Sequence, residues 1–178
     1  ACRRMLAAVY GDEKPWRAVR EVLLKPNAVN FEPHVFVDPA LVGALVSVLR
    51  EDGAERVTVM ESCTNGSFTR LVFAITGMRE AVEETGGRCV YLDEGRSERV
   101  DLGESGAVEV PAFAAERLLR GRDQVFYVDL AKLKTHSMTT VTLCLKNQWC
   151  FVDPRFRDPL HDRALHRSIA EVNRLFVP

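Results

Sequence analysis

Three short stretches of this chain carry side chains able to hold and act on an anion. Lys25 and Asn27 come directly after the apolar run Val22-Leu23-Leu24. Lys132, Lys134, Thr135 and His136 come after the run from Gln124 to Leu130, and Lys146 and Asn147 close the stretch from Val141 to Leu145. A lysine ammonium is a compact point charge suited to phosphate or carboxylate, while Thr and Asn supply the hydroxyl and amide groups that fix orientation. Lys25 and Lys134 each follow an apolar run and precede a turn, a poor place for an idle surface charge. Thr139 and Thr140 stand where the pattern allows a helix to begin, and a helix start offers free N–H groups and a favourable dipole to an anion. The expected substrate-binding set is therefore Lys25, Asn27, Thr135, Thr139, Lys146 and Asn147. His136, whose ordinary pKa is about 6.5, is the expected proton-transfer group, with Lys134 beside it lowering that pKa. Glu61 ends the run Val57-Thr58-Val59-Met60 and is expected to orient a lysine or act as a base.

Charge is distributed unevenly. Residues 131–152 hold three lysines and no acid, whereas residues 79–109 hold nine acids and four arginines. Across the whole chain 24 Lys and Arg nearly cancel 25 Asp and Glu, a net charge of −1. That balance argues against a nucleic-acid-coating role, and the basic stretch lacks the interleaved aromatics of a stacking platform. No apolar run approaches the roughly 20 residues of a membrane helix, so no membrane partner is expected. The opening residues Ala1-Cys2-Arg3-Arg4 lack the apolar centre of a secretory signal. The five cysteines, at 2, 63, 89, 144 and 150, form no Cys-x-x-Cys pair. They read as reduced thiols of a cytoplasmic protein, and no metal site is expected from their spacing. His161 and His166 are five apart and do not share a helix face, which argues against a two-histidine clamp, while Asp162 and His166 have the spacing of a helix-surface pair. The turn Thr64-Asn65-Gly66-Ser67 carries neither the dinucleotide fingerprint nor a phosphate-loop sequence.

The elements that must position these side chains alternate. Strands are expected at Glu21–Lys25, Arg56–Met60, Arg88–Leu92 and Gln124–Leu130. Asp38 reads as a helix N-cap with Pro39 at the first helical position. Leu41, Ala44, Leu45, Val48 and Leu49 then form an apolar face, and Gly53 is the stop. A second helical stretch, Phe68–Thr85, is interrupted at Gly77. The acidic region holds a small hairpin at 100–102 and 107–110, with a short helix after Pro111. Ser137–Trp149 is expected to be a short helix capped by Ser137 or Thr139. The last helix spans Asp162–Phe176 with Leu165, Ile169, Val172 and Phe176 as its stripe. Strand–helix alternation predicts an α/β fold, a mostly parallel sheet flanked by helices, in a single domain over residues 1–178. The chain stops after a helix where such a pattern ordinarily supplies another strand, so the sheet is expected to be incomplete at the C-terminus.

Several of these segments also carry a resemblance. Val22-Leu23-Leu24-Lys25-Pro26-Asn27, Gly53-Ala54 before the second strand, Leu133-Lys134-Thr135-His136 and Val141 to Trp149 together resemble the domain-of-unknown-function family 362. The closing run Leu165 to Arg174 is similar to one subgroup of it. The Lys-Pro-Asn, Lys-Thr-His and Leu-Lys-Asn signatures, in that order, carry the likeness, which extends over about Arg20–Pro178. Many relatives carry a fused ferredoxin-type iron–sulfur segment, so the resemblance implies redox chemistry with electrons from an iron–sulfur partner. Any iron–sulfur cluster would come only from a partner or a further segment. Lactate-racemase-type proteins are an analogy at the level of fold alone. Two departures stand out: relatives usually have Gly soon after the Lys-Asn pair, where this chain has Trp149-Cys150, and they continue past the last helix into another strand.

The leading expectation is thus an enzyme-like domain binding a small anionic metabolite or cofactor. From other classes stand a non-catalytic interaction module, in which an open sheet edge pairs with another chain as in a homo-oligomer, and a metal-binding protein in which Cys63, Cys144 or Cys150 converge with His136.

Overall fold

The computed structural model describes residues 1–63 and 68–178. The expected turn Thr64-Asn65-Gly66-Ser67 lies outside the described residues. The centre of the molecule is a parallel sheet of four strands, β1 (Glu21–Pro26), β2 (Val57–Glu61), β3 (Arg88–Tyr91) and a later strand, Val125–Leu130. Between them β4 (Ser97–Asp101) and β5 (Ala107–Pro111) form the expected antiparallel hairpin. The later strand is therefore β6, and the sheet order is β3-β2-β1-β6. The chain steps outward from β1 to β3 and then returns to the other side of β1. The gap beyond the carboxyl ends of β1 and β6 is the topological switch point, where ligands bind in open α/β sheets.

β1 is buried along its whole length, as the continuous apolar run of a central parallel strand requires. Its side chains alternate between two cores. Val22 and Leu24 face one, with Val57 and Val59 of β2; Leu23 faces the other, with Met60, Val125 and Tyr127. The first core is covered by α1 (Cys2–Tyr10), α2 (Pro39–Glu51), α3 (Thr69–Ile75) and α4 (Met78–Glu83). The second is covered by the β4–β5 hairpin, α5 (Ala112–Ala115) and the C-terminal helices.

Local chemistry explains the boundaries. The Asp38 carboxylate accepts from Ala40 N at 2.9 Å with Pro39 behind it, the expected cap. Gly77 takes φ 76° between α3 and α4, a left-handed conformation that suits glycine. Gly43 is required for another reason: a Cβ there would lie 2.7 Å from the Ala81 carbonyl oxygen, so α2 and α4 pack backbone to backbone.

Three expectations are corrected. The buried face of α2 is Val42, Leu45, Val46 and Leu49, while Leu41 and Ala44 are exposed. The first part of Ser137–Trp149 is not helical. Instead β7 (Lys134–His136) and β8 (Thr140–Thr142) form an antiparallel hairpin. The β-branched residues Val141 and Thr142 favour extended backbone over helix, and Thr140 turns the chain into the hairpin at φ 63°. Helix begins only at α6 (Cys144–Asn147), followed by a 3-10 turn, Gln148–Phe151. Finally, the last helix is two: α7 (Pro154–Arg163), capped by the Asp153 carboxylate on Arg155 N at 2.9 Å, and α8 (Leu165–Leu175). The break at Ala164 places Asp162 and His166 on different helices, so their spacing is not that of a helix-surface pair. The expected stripe Leu165, Ile169, Val172 and Phe176 is buried.

Candidate functional site

The last residues of β1 turn sharply and are pinned from both sides. Asn27 N donates to Leu130 O at 3.1 Å, and Val37 N donates to Asn27 O at 2.8 Å. The chain after Asn27 folds back on itself through a bridge between Ala28 and Phe36. It thereby presents Val35 O to Lys134 Nζ at 2.8 Å. In the β7–β8 hairpin Lys134 pairs with Thr142, and His136, two residues on, shares its face. α6 and the 3-10 turn add Lys146, Asn147, Trp149 and Cys150, and α7 adds Arg157 and His161, four apart and so on one helix face.

These residues enclose a cleft of about 380 Å³ at the switch point. It gathers Asn27, Lys134, Thr135, His136, Lys146 and Asn147 from the expected site. Thr139 lies outside it. Its hydroxyl donates to Val141 O at 2.9 Å within the hairpin, and the helix N-terminus it was expected to cap does not form there.

Lys25 and Glu61 lie beneath the cleft. Both are fully buried, and Lys25 Nζ donates to Glu61 Oε1 at 2.7 Å. Glu61 also accepts from Ser62 N at 2.8 Å and Ala28 N at 3.3 Å. Nζ reaches Asn147 Oδ1 at 3.4 Å and lies 5.5 Å from the centre of the Phe151 ring. The expected contact of Lys25 with a ligand therefore gives way to a buried ion pair, and Glu61 acts on the cleft only through what it positions.

A second carboxylate completes this layer. Asp129 is the register partner of Lys25 on β6 and accepts from Asn147 Nδ2 at 2.6 Å. Burial pushes the Asp129 pKa up to about 6, against the opposing pull of Lys25. Burial likewise raises Glu61. Burial opposes the charge of Lys25, but Glu61 and its other neighbours outweigh it and hold its pKa above the ordinary lysine value. Two carboxylates around one ammonium make both shifts coherent: the group holds protons more tightly than its members would alone. Tyr127 OH, on the same face of β6, donates to Gln148 Oε1 at 2.9 Å and steadies the 3-10 turn.

Above this layer the electrostatics reverse. Lys134, Lys146 and Arg157 line the cleft with His136 and His161, and Asp158 is the acid among its described lining residues. Arg157 is buried and gives its N–H groups to neutral acceptors: Val152 O, Cys63 O, Cys150 O and Ser62 Oγ. No salt bridge to Lys134, Lys146 or Arg157 occurs among the described residues. Burial lowers the pKa of both lysines, with smaller contributions from Lys132 and Lys146 on Lys134 and from Arg157 on Lys146. His136 is lowered by burial, then by Lys146, His161 and Lys134. Its Nδ1 accepts from Met138 N at 3.2 Å and Thr139 N at 3.4 Å. A proton on Nδ1 would point at those N–H groups, so the geometry assigns the neutral ring with its hydrogen on Nε2. Such a ring offers its Nε2–H to the cleft as a hydrogen-bond donor, while Nδ1 is held by the turn.

The sequence reading passed over Arg157 and Asp129. The Arg157–His161 spacing was a usable signal. Asp129 was a lone acid in an apolar strand, but its role appears only once the register with β1 is known. Of the thiols considered as metal ligands, Cys63 is buried, Cys144 is exposed and Cys150 lines the cleft. No group of three or more His, Cys, Asp or Glu suited to a metal ion occurs among the described residues. Among them, too, no helix is long and apolar enough to cross a membrane.

Compared with known families, residues 22–178 match the family model described as Domain of unknown function (DUF362), and the chain belongs to that family. No curated protein and no solved structure matches the chain.

Proposed function

We propose that this member of the family binds a small anionic metabolite, carrying phosphate or carboxylate, in the cleft at the carboxyl ends of β1 and β6. The observation that carries the reading is the set of cations there. Lys134, Lys146 and Arg157 converge on a cleft of about 380 Å³ without an ion-pair partner among the described residues. Holding these charges in a half-buried space is unfavourable: burial first, and neighbouring cations after it, lower the pKa of both lysines, which registers that cost. A bound anion removes it. Lys134 and Lys146 supply charge, the Nε2–H of neutral His136 supplies a directed donor, and Thr135 and Thr142 border the same space. Lys25 and Glu61 brace the floor from below through Asn147.

The test is a thermal-shift and calorimetric screen with inorganic phosphate, pyrophosphate and citrate, on the wild type, Lys134→Met and Lys146→Met. Ligand at 100 times its dissociation constant stabilises by about 2.7 kcal/mol. In a domain of this size that is a rise in melting temperature of about 5–10 °C. The expected result is a shift in the wild type that both variants lose or weaken at least tenfold in affinity. Lys146 makes no side-chain hydrogen bond among the described residues, so its variant should fold as the wild type does. A cooperative melt that no anion moves would overturn the reading.

A further inference from the structure

We infer that the anion bound in this cleft also carries a hydroxyl group, recognised by the side-chain oxygen of Asn27; the inference rests on the anion-binding reading above and specifies its ligand. The argument starts from Asn147, whose amide orientation is fixed. Its Nδ2 donates to Asp129 Oδ1 at 2.6 Å and to Lys25 O at 3.2 Å, both pure acceptors. Its Oδ1 must then face Lys25 Nζ, at 3.4 Å, and Asn27, at 3.5 Å. An oxygen facing Asn27 demands the Nδ2 of Asn27 in return, because the flipped amide would set oxygen against oxygen. The network anchored by Glu61 and Asp129 thus decides which atom of Asn27 is left over. That atom is Oδ1, an acceptor.

Asn27 Oδ1 is buried and has no hydrogen-bond partner among the described residues. Its residue is only 5% exposed and belongs to the lining of the cleft. An acceptor in that position is costly to leave unpaired. A donor from the ligand answers it, and two features restrict that donor. The oxygen is enclosed, so only a small group fits against it. The described lining also carries Lys134, Lys146 and Arg157 against the one acid Asp158, so its net charge disfavours an ammonium on the ligand. A hydroxyl meets both conditions, which points to hydroxylated phosphates or hydroxycarboxylates.

The experiment compares anions that differ in their hydroxyl groups: glycerol 3-phosphate against n-propyl phosphate, and glycolate against acetate, by calorimetry on the wild type and Asn27→Ala. The expected result is that the hydroxylated member of each pair binds the wild type at least tenfold more tightly. A site built to pair a ligand hydroxyl penalises the analogue without it. In Asn27→Ala the preference should fall to twofold or less while n-propyl phosphate binds about as well as to the wild type. Equal binding of both members to the wild type would overturn the inference and leave the anion site standing, and this comparison needs no variant. A preference that persists in a folded Asn27→Ala protein would overturn the role of Asn27. Failure of every anion to bind would remove the anion-binding reading and this inference with it.

Discussion

Replacing Glu61 by Gln removes the charge of the buried pair while keeping the shape of the side chain and an acceptor for Ser62 N; it also gives up the weaker bond from Ala28 N at 3.3 Å. What is lost is the counter-charge of an ammonium 2.7 Å away that has no contact with solvent. Two unit charges at that distance attract by about 6 kcal/mol at an effective dielectric of about 20, before the cost of desolvation. Removing one partner of a buried pair costs about 3–5 kcal/mol in practice, because the other charge is left uncompensated. The lower end is expected here, since Asp129 remains in register with Lys25. At 2–4 °C per kcal/mol, about 3 kcal/mol lowers the melting temperature by about 6–12 °C. Lys25→Met is expected to behave differently. It leaves a buried carboxyl whose pKa is already raised, so Glu61 takes a proton and the defect shrinks as the pH falls. The double variant Lys25→Met/Glu61→Leu removes both charges and should recover to within about 1–2 kcal/mol of the wild type, since apolar replacements of buried pairs are well tolerated. The assay is urea unfolding at pH 7.5 and pH 5.5 for Glu61→Gln and for the cycle formed by the wild type, Lys25→Met, Glu61→Leu and Lys25→Met/Glu61→Leu. A coupling energy below about 0.5 kcal/mol, with the two single losses simply adding, would refute the buried-pair account.

Two further outcomes follow from the same layers. Asp129 titrates at about 6 in the folded chain against an ordinary 3.8, so the folded state keeps a proton that the unfolded state has already released. Wild-type stability therefore falls as the pH rises from about 4 to 6, and the full penalty, about 3 kcal/mol at most, applies above that. Asp129→Asn lacks this slope. Relative to the wild type it should gain stability between pH 4 and 7.5 in urea unfolding, and a difference independent of pH would contradict the assignment. Gly43→Ala should destabilise by about 1–2 kcal/mol in thermal melts, although alanine is the better helix former. Overpacking against the Ala81 carbonyl outweighs the gain in propensity, and a stabilised variant would show that α2 and α4 are not in close contact.

Much of this fold could be read from local signals. The four central strands, the Asp38–Pro39 cap, the Gly77 break and the acidic hairpin each have a cause confined to a few residues. The misread parts depend on partners distant in sequence. α2 has more than one apolar face, and only its packing against the sheet and α4 selects Val42 and Val46 over Leu41 and Ala44. The hairpin at 134–142 was legible in its β-branched run, but Ser137 and Thr139 also suit a helix cap, and that reading misled, taking with it the role expected for Thr139. In the site, Lys134, His136 and Lys146 fall where a strand-end argument puts them. Lys25 obeyed the same argument and turned inward, because α6 and the following 3-10 turn cover its face of the sheet, with Asn147 and Phe151 against its Nζ. The proton on His136 depends on two backbone N–H groups of a tight turn, which no pattern of residue types reveals.

The ion pair beneath the cleft also bears on how this chain can change through its history. Lys25 and Glu61 sit 36 positions apart, so separate mutational events must alter them. Either change alone passes through a protein that has lost a large part of its folding free energy, while both together are nearly harmless. A lineage starting from this sequence is therefore held at both positions, unless stability gained elsewhere first makes the intermediate viable. Apolar replacement at these two sites should appear as a late, paired event, arising in backgrounds already enriched in stabilising changes.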